Sequence, residues 1–439
     1  MDLDALAALA GTLGPESTGS AARRPGSAGP APARLFSTWE ITDRILPMAP
    51  NHLRRSLRAN PDWPQGRSQE DGRLRWFTLD EVHALRRAFA ASGGARHLPD
   101  RPPGAPLILT LVHPRPGTGK TTTAAHLAQG AAMAGYRVLV LDLAPSGRLS
   151  QLLGAPDPAP ALPLLAAQAA RHLRDENRLR LSRGEPVLTP DADLDGAEVR
   201  APSPTAWAGV DLLGGGLTLA PADQKIAGWQ HLIRSWRPWE ALRAGLDAAG
   251  HLAPSDGPAL LSPDAGYDLI LIDTPPALGP LTLSAVIAAD ILLMPFAATS
   301  AEIAATSRGL TLLRSEIAAI ETREGLAARA LGETPRRFTW SALRTLLTRF
   351  DPATQTRAAT GIQTQMGETL LMPRQEAVPL LADPDGPGTI YGLDYRTVGR
   401  DRHAALRRDP DAIQAAVHAL MAEVWREKLA EAALDGPAG

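Results

Sequence analysis

Cysteine is absent from this 439-residue chain. That excludes disulfide staples and thiolate metal sites, and it suits a reducing compartment. No run of ~18 apolar residues occurs, so no membrane-spanning helix and no membrane partner are expected. The opening Met1-Asp-Leu-Asp places acids where a signal peptide carries bases, which points to the cytoplasm. A strong charge of one sign is missing too. The formal net charge is −2, so any nucleic-acid contact must come from local basic patches. What is present in quantity is apolar residues, 44%, enough for a sizeable core, together with 39 glycines and 40 prolines. The length suits two or three domains of roughly 100–200 residues.

Four stretches divide the chain. Residues 1–34 read as a short helix over 3–13, with Leu3, Leu6, Leu9 and Leu13 near one face, followed by a Pro/Gly/Ser/Ala-rich disordered linker. Residues 35–92 form a compact patterned block. Ser37 and Glu40 make a capping box for a helix through about Ile45, a second helix spans about Pro50 to Ala59, Arg73–Phe77 is a strand candidate, and a third helix starts at Thr78. Residues 93–105 read as a second linker. Residues 106–435 alternate continuous apolar strands (Leu107–Val112, Arg137–Asp142, Tyr267–Asp273, Ile291–Pro295) with helices, which predicts an α/β domain whose mostly parallel sheet is covered by helices on both faces. Within it, the Pro/Asp-rich stretch 155–205 reads as an insertion, helical around 162–181. The last helix is expected over about 411–434, docked on the domain.

The strongest chemical signal is His113-Pro-Arg-Pro-Gly-Thr-Gly-Lys-Thr-Thr-Thr123, lying between the first strand and its helix. Glycines let backbone N–H groups curl around phosphate oxygens, and the helix N-terminus adds a positive dipole end. Gly117, Thr118, Gly119, Lys120, Thr121 and Thr122 are thus candidate ATP-binding residues. Lys120 is placed to reach the terminal phosphates, and Thr121 to ligate Mg²⁺. Asp273, at the carboxyl end of a buried strand, is the second candidate Mg²⁺ ligand.

These segments resemble the ParA/MinD family of deviant Walker A ATPases. Arg115-Pro-Gly-Thr-Gly-Lys-Thr-Thr is similar to its Lys-Gly-Gly-x-Gly-Lys-Thr loop, Gly135-Tyr-Arg-Val-Leu-Val-Leu-Asp142-Leu-Ala-Pro145 to its Gly-x-x-Val-Leu-x-x-Asp-x-Asp-Pro segment, and Tyr267–Pro276 to its Walker B strand. Gly209–Leu213 and Leu346–Pro352 extend the likeness, and the front block with 336–430 looks most like the RepA partition proteins of repABC-type plasmids. The resemblance implies a P-loop NTPase fold preceded by a small winged helix-turn-helix domain. It also implies an ATP-dependent homodimer on nucleoid DNA and a ParB-type centromere-binding partner. Lys120, Asp142 and Arg115 are the implied catalytic residues, Arg115 in the place of the lysine that contacts phosphate across the dimer.

The chain departs from the family at three positions. Arg115 keeps the charge of that lysine but is longer and planar. Pro116 removes a backbone N–H from the phosphate cradle. Ala144 stands where the family has a second Asp that positions the attacking water. Phosphoryl transfer depends on such positioning, so slow hydrolysis is expected.

In the front block Asn51, His52, Arg54, Arg55 and Arg58 lie on the second helix, with 51, 54, 55 and 58 on one face and Leu53 and Leu57 turned to the core. Arg and Asn are the side chains that read guanine and adenine edges, and Arg73 and Arg75 alternate along the wing strand to clamp phosphates. Arg400, Arg402, Arg407 and Arg408, with Arg336, Arg337, Arg344 and Arg349, are weaker candidates for non-specific DNA contact. The expected protein is a plasmid-partitioning ATPase, weakly hydrolytic, that also represses its own operon. The alternative is a DNA-binding transcriptional regulator with a degenerate, non-hydrolysing ParA-like domain.

Overall fold

The computed structural model describes residues 33–68, 75–155, 158–261, 266–335, 337–381 and 388–435. The expected helix over 3–13, Arg73 and Arg336 lie outside them.

Two capping boxes start the helices of the front block. Ser37 and Glu40 open α1, Thr38–Glu40, which continues as a wider π turn over Ile41–Ile45. After α2, Pro50–Ala59, with proline in its first turn, Thr78 and Glu81 open α3, Leu79–Ala91. Strands β1 (Phe36–Ser37), β2 (Arg67–Ser68) and β3 (Arg75–Phe77) make a small antiparallel sheet in the order β1-β3-β2.

The larger domain is built on nine strands. These are β4 (Leu107–Leu111), β5 (Val138–Asp142), β6 (Ala159–Pro160), β7 (Ser203–Pro204), β8 (Val210–Gly214), β9 (Leu269–Asp273), β10 (Ile291–Phe296), β11 (Ala342–Leu347) and β12 (Leu370–Leu371). Their order is β12-β11-β10-β4-β9-β5-β8-β6, all parallel, with β7 antiparallel on β8. The helices that cover the sheet include α4 (Lys120–Ala134), α5 (Leu162–Ser182), α6 (Pro238–Ala248), α7 (Pro280–Ala288), α8 (Ser300–Leu331), α9 (Pro352–Met366) and α10 (Arg400–Asp435).

Every residue of β4, β5, β9 and β10 is buried, as unbroken apolar runs require. Alternate side chains enter opposite layers. Leu107, Leu109, Val138, Val140, Leu269 and Leu271 join one core, and Ile108, Leu139, Leu141, Ile270 and Ile272 the other. The 155–205 stretch contributes to this second core. α5 packs Leu162, Leu164, Leu165 and Leu173 there, and β6 and β7 extend the sheet beside β8. Trp229, Trp236 and Trp239 are buried packing residues, and the Trp229 indole donates to Asp191 at 2.7 Å.

The last helix begins eleven residues before its expected start, because Pro410 lies inside it. An interior proline costs about 3 kcal/mol through its missing N–H and ring clash. Buried His403 and Arg407 pack the preceding turns, and the Arg407–Asp411 ion pair at 3.0 Å spans the proline, so tertiary contacts override the local break.

The front block shares its core with the larger domain. Phe36, Leu53, Phe77 and Leu85 are continuous with Leu107, Val138, Ile413 and Trp425. Arg86 of α3 donates to the carbonyls of Met133 (2.7 Å) and Ile45 (3.1 Å), and to that of His97. His83 Nε2 donates to the carbonyl of Ala132 at 2.8 Å. Trp39 and Trp76 pack on Tyr395, with Arg396 over Trp76 at 4.4 Å. Within 93–105, Arg101 is buried against Asp268 at 3.3 Å and lies 4.6 Å from the Trp425 ring.

Candidate functional site

The turn from β4 into α4 is built around two left-handed glycines, Gly117 (φ 73°) and Gly119 (φ 93°), conformations that a side chain would strain. Gly119 caps α4, and a Cβ there would sit 3.2 Å from Thr348 Oγ1. His113 holds the start of the loop. Its Nδ1 accepts the Arg115 amide at 3.1 Å, so Nε2–H faces Thr306 Oγ1 at 3.1 Å. Burial, with help from the Lys120 and Arg115 charges, pushes the His113 pKa down to about 4.

Lys120 is the first residue of α4 and is buried. Its ammonium donates to the carbonyls of His113 (2.9 Å) and Arg115 (3.1 Å), which holds it under the loop. The chain has only three lysines, Lys120, Lys225 and Lys428. In a sequence that places arginine almost everywhere a cation is needed, a compact ammonium at the loop is a specific choice.

Thr121 Oγ1 donates to Asp273 Oδ2 at 2.7 Å. Asp273 is fully buried, its Oδ1 has no hydrogen-bond partner among the described residues, and the same is true of Thr118 Oγ1. Burial, reinforced by the nearby charge of Asp142, raises the Asp273 pKa to about 7, against the opposing Thr121 hydrogen bond and Lys120 charge. A hydroxyl beside a carboxylate with an oxygen to spare fits a hard divalent cation, and it accounts for the cost of burying that oxygen unpaired.

Asp142 lies beside Asp273 in register on the neighbouring strand. Both its oxygens are engaged. Oδ1 accepts the Ala144 amide at 3.2 Å, and Oδ2 accepts the Ser150 amide (3.0 Å) and hydroxyl (2.9 Å). The carboxylate thus shapes the 142–150 loop, with its pKa raised by burial. Gly215 lets that loop come close. A Cβ there would meet the carbonyl of Ala144 at 2.4 Å and that of Asp142 at 2.7 Å.

A cavity of about 1060 Å³ runs from Pro116–Thr123 past Ala144, Pro145 and Ser146 to a wall formed by His126, Val378, Leu381, Ile413 and Gln414. Its volume suits a nucleotide-sized ligand. Arg115 lies at the loop mouth, half-exposed, facing Glu302. The far wall and Glu302 carry no sequence signal; they reach the loop through the fold.

On α2, Asn51, His52, Arg54, Arg55 and Arg58 are exposed while Leu53 and Leu57 are buried, the two-faced pattern expected. His52 stacks near Phe89 at 5.9 Å, and Arg55 Nε donates to the Asn51 carbonyl at 3.4 Å. Arg75 folds back, donating to the Gln65 carbonyl (2.8 Å) and Oε1 (2.9 Å). Of the C-terminal arginines, Arg407 is buried, and Arg400 lies over Trp39 and Tyr395.

A parallel sheet with a glycine loop between its first strand and helix, and an acid ending the adjacent strand, defines the P-loop class. The family model described as the CobQ/CobB/MinD/ParA nucleotide binding domain matches residues 109–384, and the chain belongs to that family. It is 27% identical over 329 residues to a Rhizobium rhizogenes protein provisionally named replication protein A, covering 73% of this chain and 69% of that one. It is also 31% identical over 187 residues to the chromosome-partitioning ATPase Soj of Thermus thermophilus, covering 43% of this chain and 53% of Soj. Among solved structures, one titled Partition Protein superposes with a TM-score of 0.56 at 16% identity, covering 90% of this chain and 93% of that one, a likeness of fold.

Proposed function

We propose that this chain is the ATPase of a plasmid-partition system. It binds ATP with Mg²⁺, pairs with a second copy of itself, binds nucleoid DNA, and acts with a ParB-type centromere-binding protein. The front block is a winged helix-turn-helix whose α2 reads operator DNA and represses the operon. The protein works in the cytoplasm on the nucleoid; no helix among the described residues is long and apolar enough to cross a membrane.

The observation that carries this reading is the pair of unpartnered buried oxygens beside the glycine loop: Thr118 lines the cavity, and Asp273, buried behind that lining, is tied to it through Thr121. The loop amides and the α4 N-terminus receive phosphate oxygens, Lys120 neutralises their charge, and Thr121 with Asp273 holds Mg²⁺, which supplies further charge neutralisation when bound. Arg115 provides a guanidinium at the loop mouth. Turnover is slow, because Ala144 offers a methyl where an orienting carboxylate is needed.

Titration calorimetry with Mg-ATP tests the core of this reading. Binding by the parent and its loss in Lys120→Ala, together with loss of plasmid retention, is the expected result. Parent protein that takes up no Mg-ATP sinks it. One observation favours a second reading, a transcriptional regulator with a non-hydrolysing ParA-like domain: Asp142 is fully engaged by Ser150 and the Ala144 amide. Hydrolysis stimulated by DNA and partner supports partition. Nucleotide binding with clean operator footprints and no turnover supports the regulator.

A further inference from the structure

Two guanidinium groups converge on one carboxylate oxygen at the mouth of the phosphate loop. Arg115 Nη1 lies 3.8 Å, and Arg349 Nη2 3.7 Å, from Glu302 Oε1. Glu302 sits in the first turn of α8, capped by Thr299, with its side chain only 14% exposed. Its other oxygen, Oε2, is buried and without a hydrogen-bond partner among the described residues.

Arg349 has a strained backbone and follows a residue fastened to the loop. Its φ of 50° makes it the one non-glycine residue in the left-handed region among the described residues, a conformation that persists only where the surroundings enforce it. A side-chain bond anchors the residue before it. Thr348 Oγ1 donates to the carbonyl of Thr118 at 2.7 Å, fastening the end of β11 to the phosphate loop. The Arg349 side chain is half-exposed and lines the same cavity as Gly117–Thr121.

Both separations exceed the 2.7–2.9 Å of a charge-assisted hydrogen bond. Neither guanidinium is forked onto Glu302. The carboxylate restrains them loosely, and a polyphosphate with more charge and more oxygens would outbid it. We propose that Arg349 is a phosphate-binding residue of this pocket, and that Glu302 is a stand-in anion that holds Arg349 and Arg115 at the loop mouth until the phosphate chain takes them. This rests on the reading of the cavity as a nucleotide site.

The test uses the full chain, with Mg-ATP and inorganic tripolyphosphate as probes in titration calorimetry. Arg349→Gly removes the guanidinium and suits the left-handed backbone, so the fold is spared. It should weaken both probes about tenfold, the value of one charge-assisted bond. Arg349→Lys should recover part of the loss, because it keeps the charge and loses the fork. Glu302→Gln should tighten both probes, and that gain should shrink in the Glu302→Gln, Arg349→Gly double variant. Unchanged affinity in Arg349→Gly overturns the proposal, as does a loss confined to Mg-ATP with tripolyphosphate unaffected, which would place Arg349 on the base or sugar. Lys120→Ala separates the two claims: if it binds both probes as the parent does, the nucleotide reading of the pocket itself fails.

Discussion

His126 Nε2 accepts the backbone N–H of Ile390 at 2.9 Å, across 264 positions of sequence. The other ring nitrogen donates to the carbonyl of Thr122 at 2.8 Å, and Tyr391 packs edge-on at 5.6 Å. Two fixed backbone partners therefore set the tautomer of a neutral, buried imidazole. The contact ties the helix that begins at Lys120 to the segment leading into α10, which walls the far end of the cavity.

Replacing this ring tests that tie. His126→Phe leaves the Ile390 amide buried without its acceptor, which costs about 1–3 kcal/mol. The denaturation midpoint should fall with an unchanged m-value. Mg-ATP affinity should fall as well, because the displaced wall belongs to the cavity. A variant as stable as the parent contradicts the account.

The buried histidines should make this protein lose stability as the pH falls below about 6.5. Burial pushes His83, His113, His126 and His418 down to about 4 each. An unfolded histidine titrates near 6.5. Between those values these histidines bind more protons in the unfolded chain than in the folded one, so their contribution to stability is complete above about pH 6.5 and declines as pH falls toward 4. Thermal melts from pH 8 to 4.5 read this directly. His83→Gln, which keeps a donor for the Ala132 carbonyl but does not titrate, should flatten the decline. An equally steep fall in that variant would show that His83 is not one of the responsible groups.

Ala144→Asp should raise ATP turnover by at least about tenfold, since orienting groups carry much of phosphoryl-transfer catalysis. Residue 144 lines the cavity beside the loop. Phosphate release measured with DNA present checks it, and an unchanged rate shows that slow turnover has another origin.

The exposed arginines of α2 should behave as DNA contacts. Arg54→Ala and Arg58→Ala should each weaken operator binding, and a residue that touches phosphate should lower the salt slope of log K by about one. Fluorescence anisotropy across a salt series measures both. Full operator affinity in the double variant refutes the assignment of this face.

Residues that act through local pattern were the legible ones. Unbroken apolar runs mark β4, β5, β9 and β10, and the Ser37–Glu40 capping box marks α1; the matching Thr78–Glu81 box is found in the structure. Thr121 and Asp273 were paired from their places at a helix start and a strand end, and their hydroxyl and carboxylate meet at 2.7 Å. The last helix starts earlier than about 411 because buried Arg407 and His403 outweigh the local helix breaker Pro410. The family resemblance implies a catalytic Asp142, yet nothing in the sequence tells that Ser150 and the Ala144 amide occupy both oxygens. Glu302 was illegible altogether: its meeting with Arg115 and Arg349 is created by the order of β11, β10 and β4 in the sheet.

The grip of Arg86 and His83 on the last carbonyls of α4 has a geometric consequence. Helix α3 of the front block and the glycine loop hang from opposite ends of a single rod, α4, of about 22 Å. In any two-copy assembly, then, the distance separating the two α2 helices is dictated by how the ATPase bodies pair. On the proposed role of α2 in reading an operator, half-sites must match that distance, so moving them apart by half a helical turn should cost repression even with every base intact.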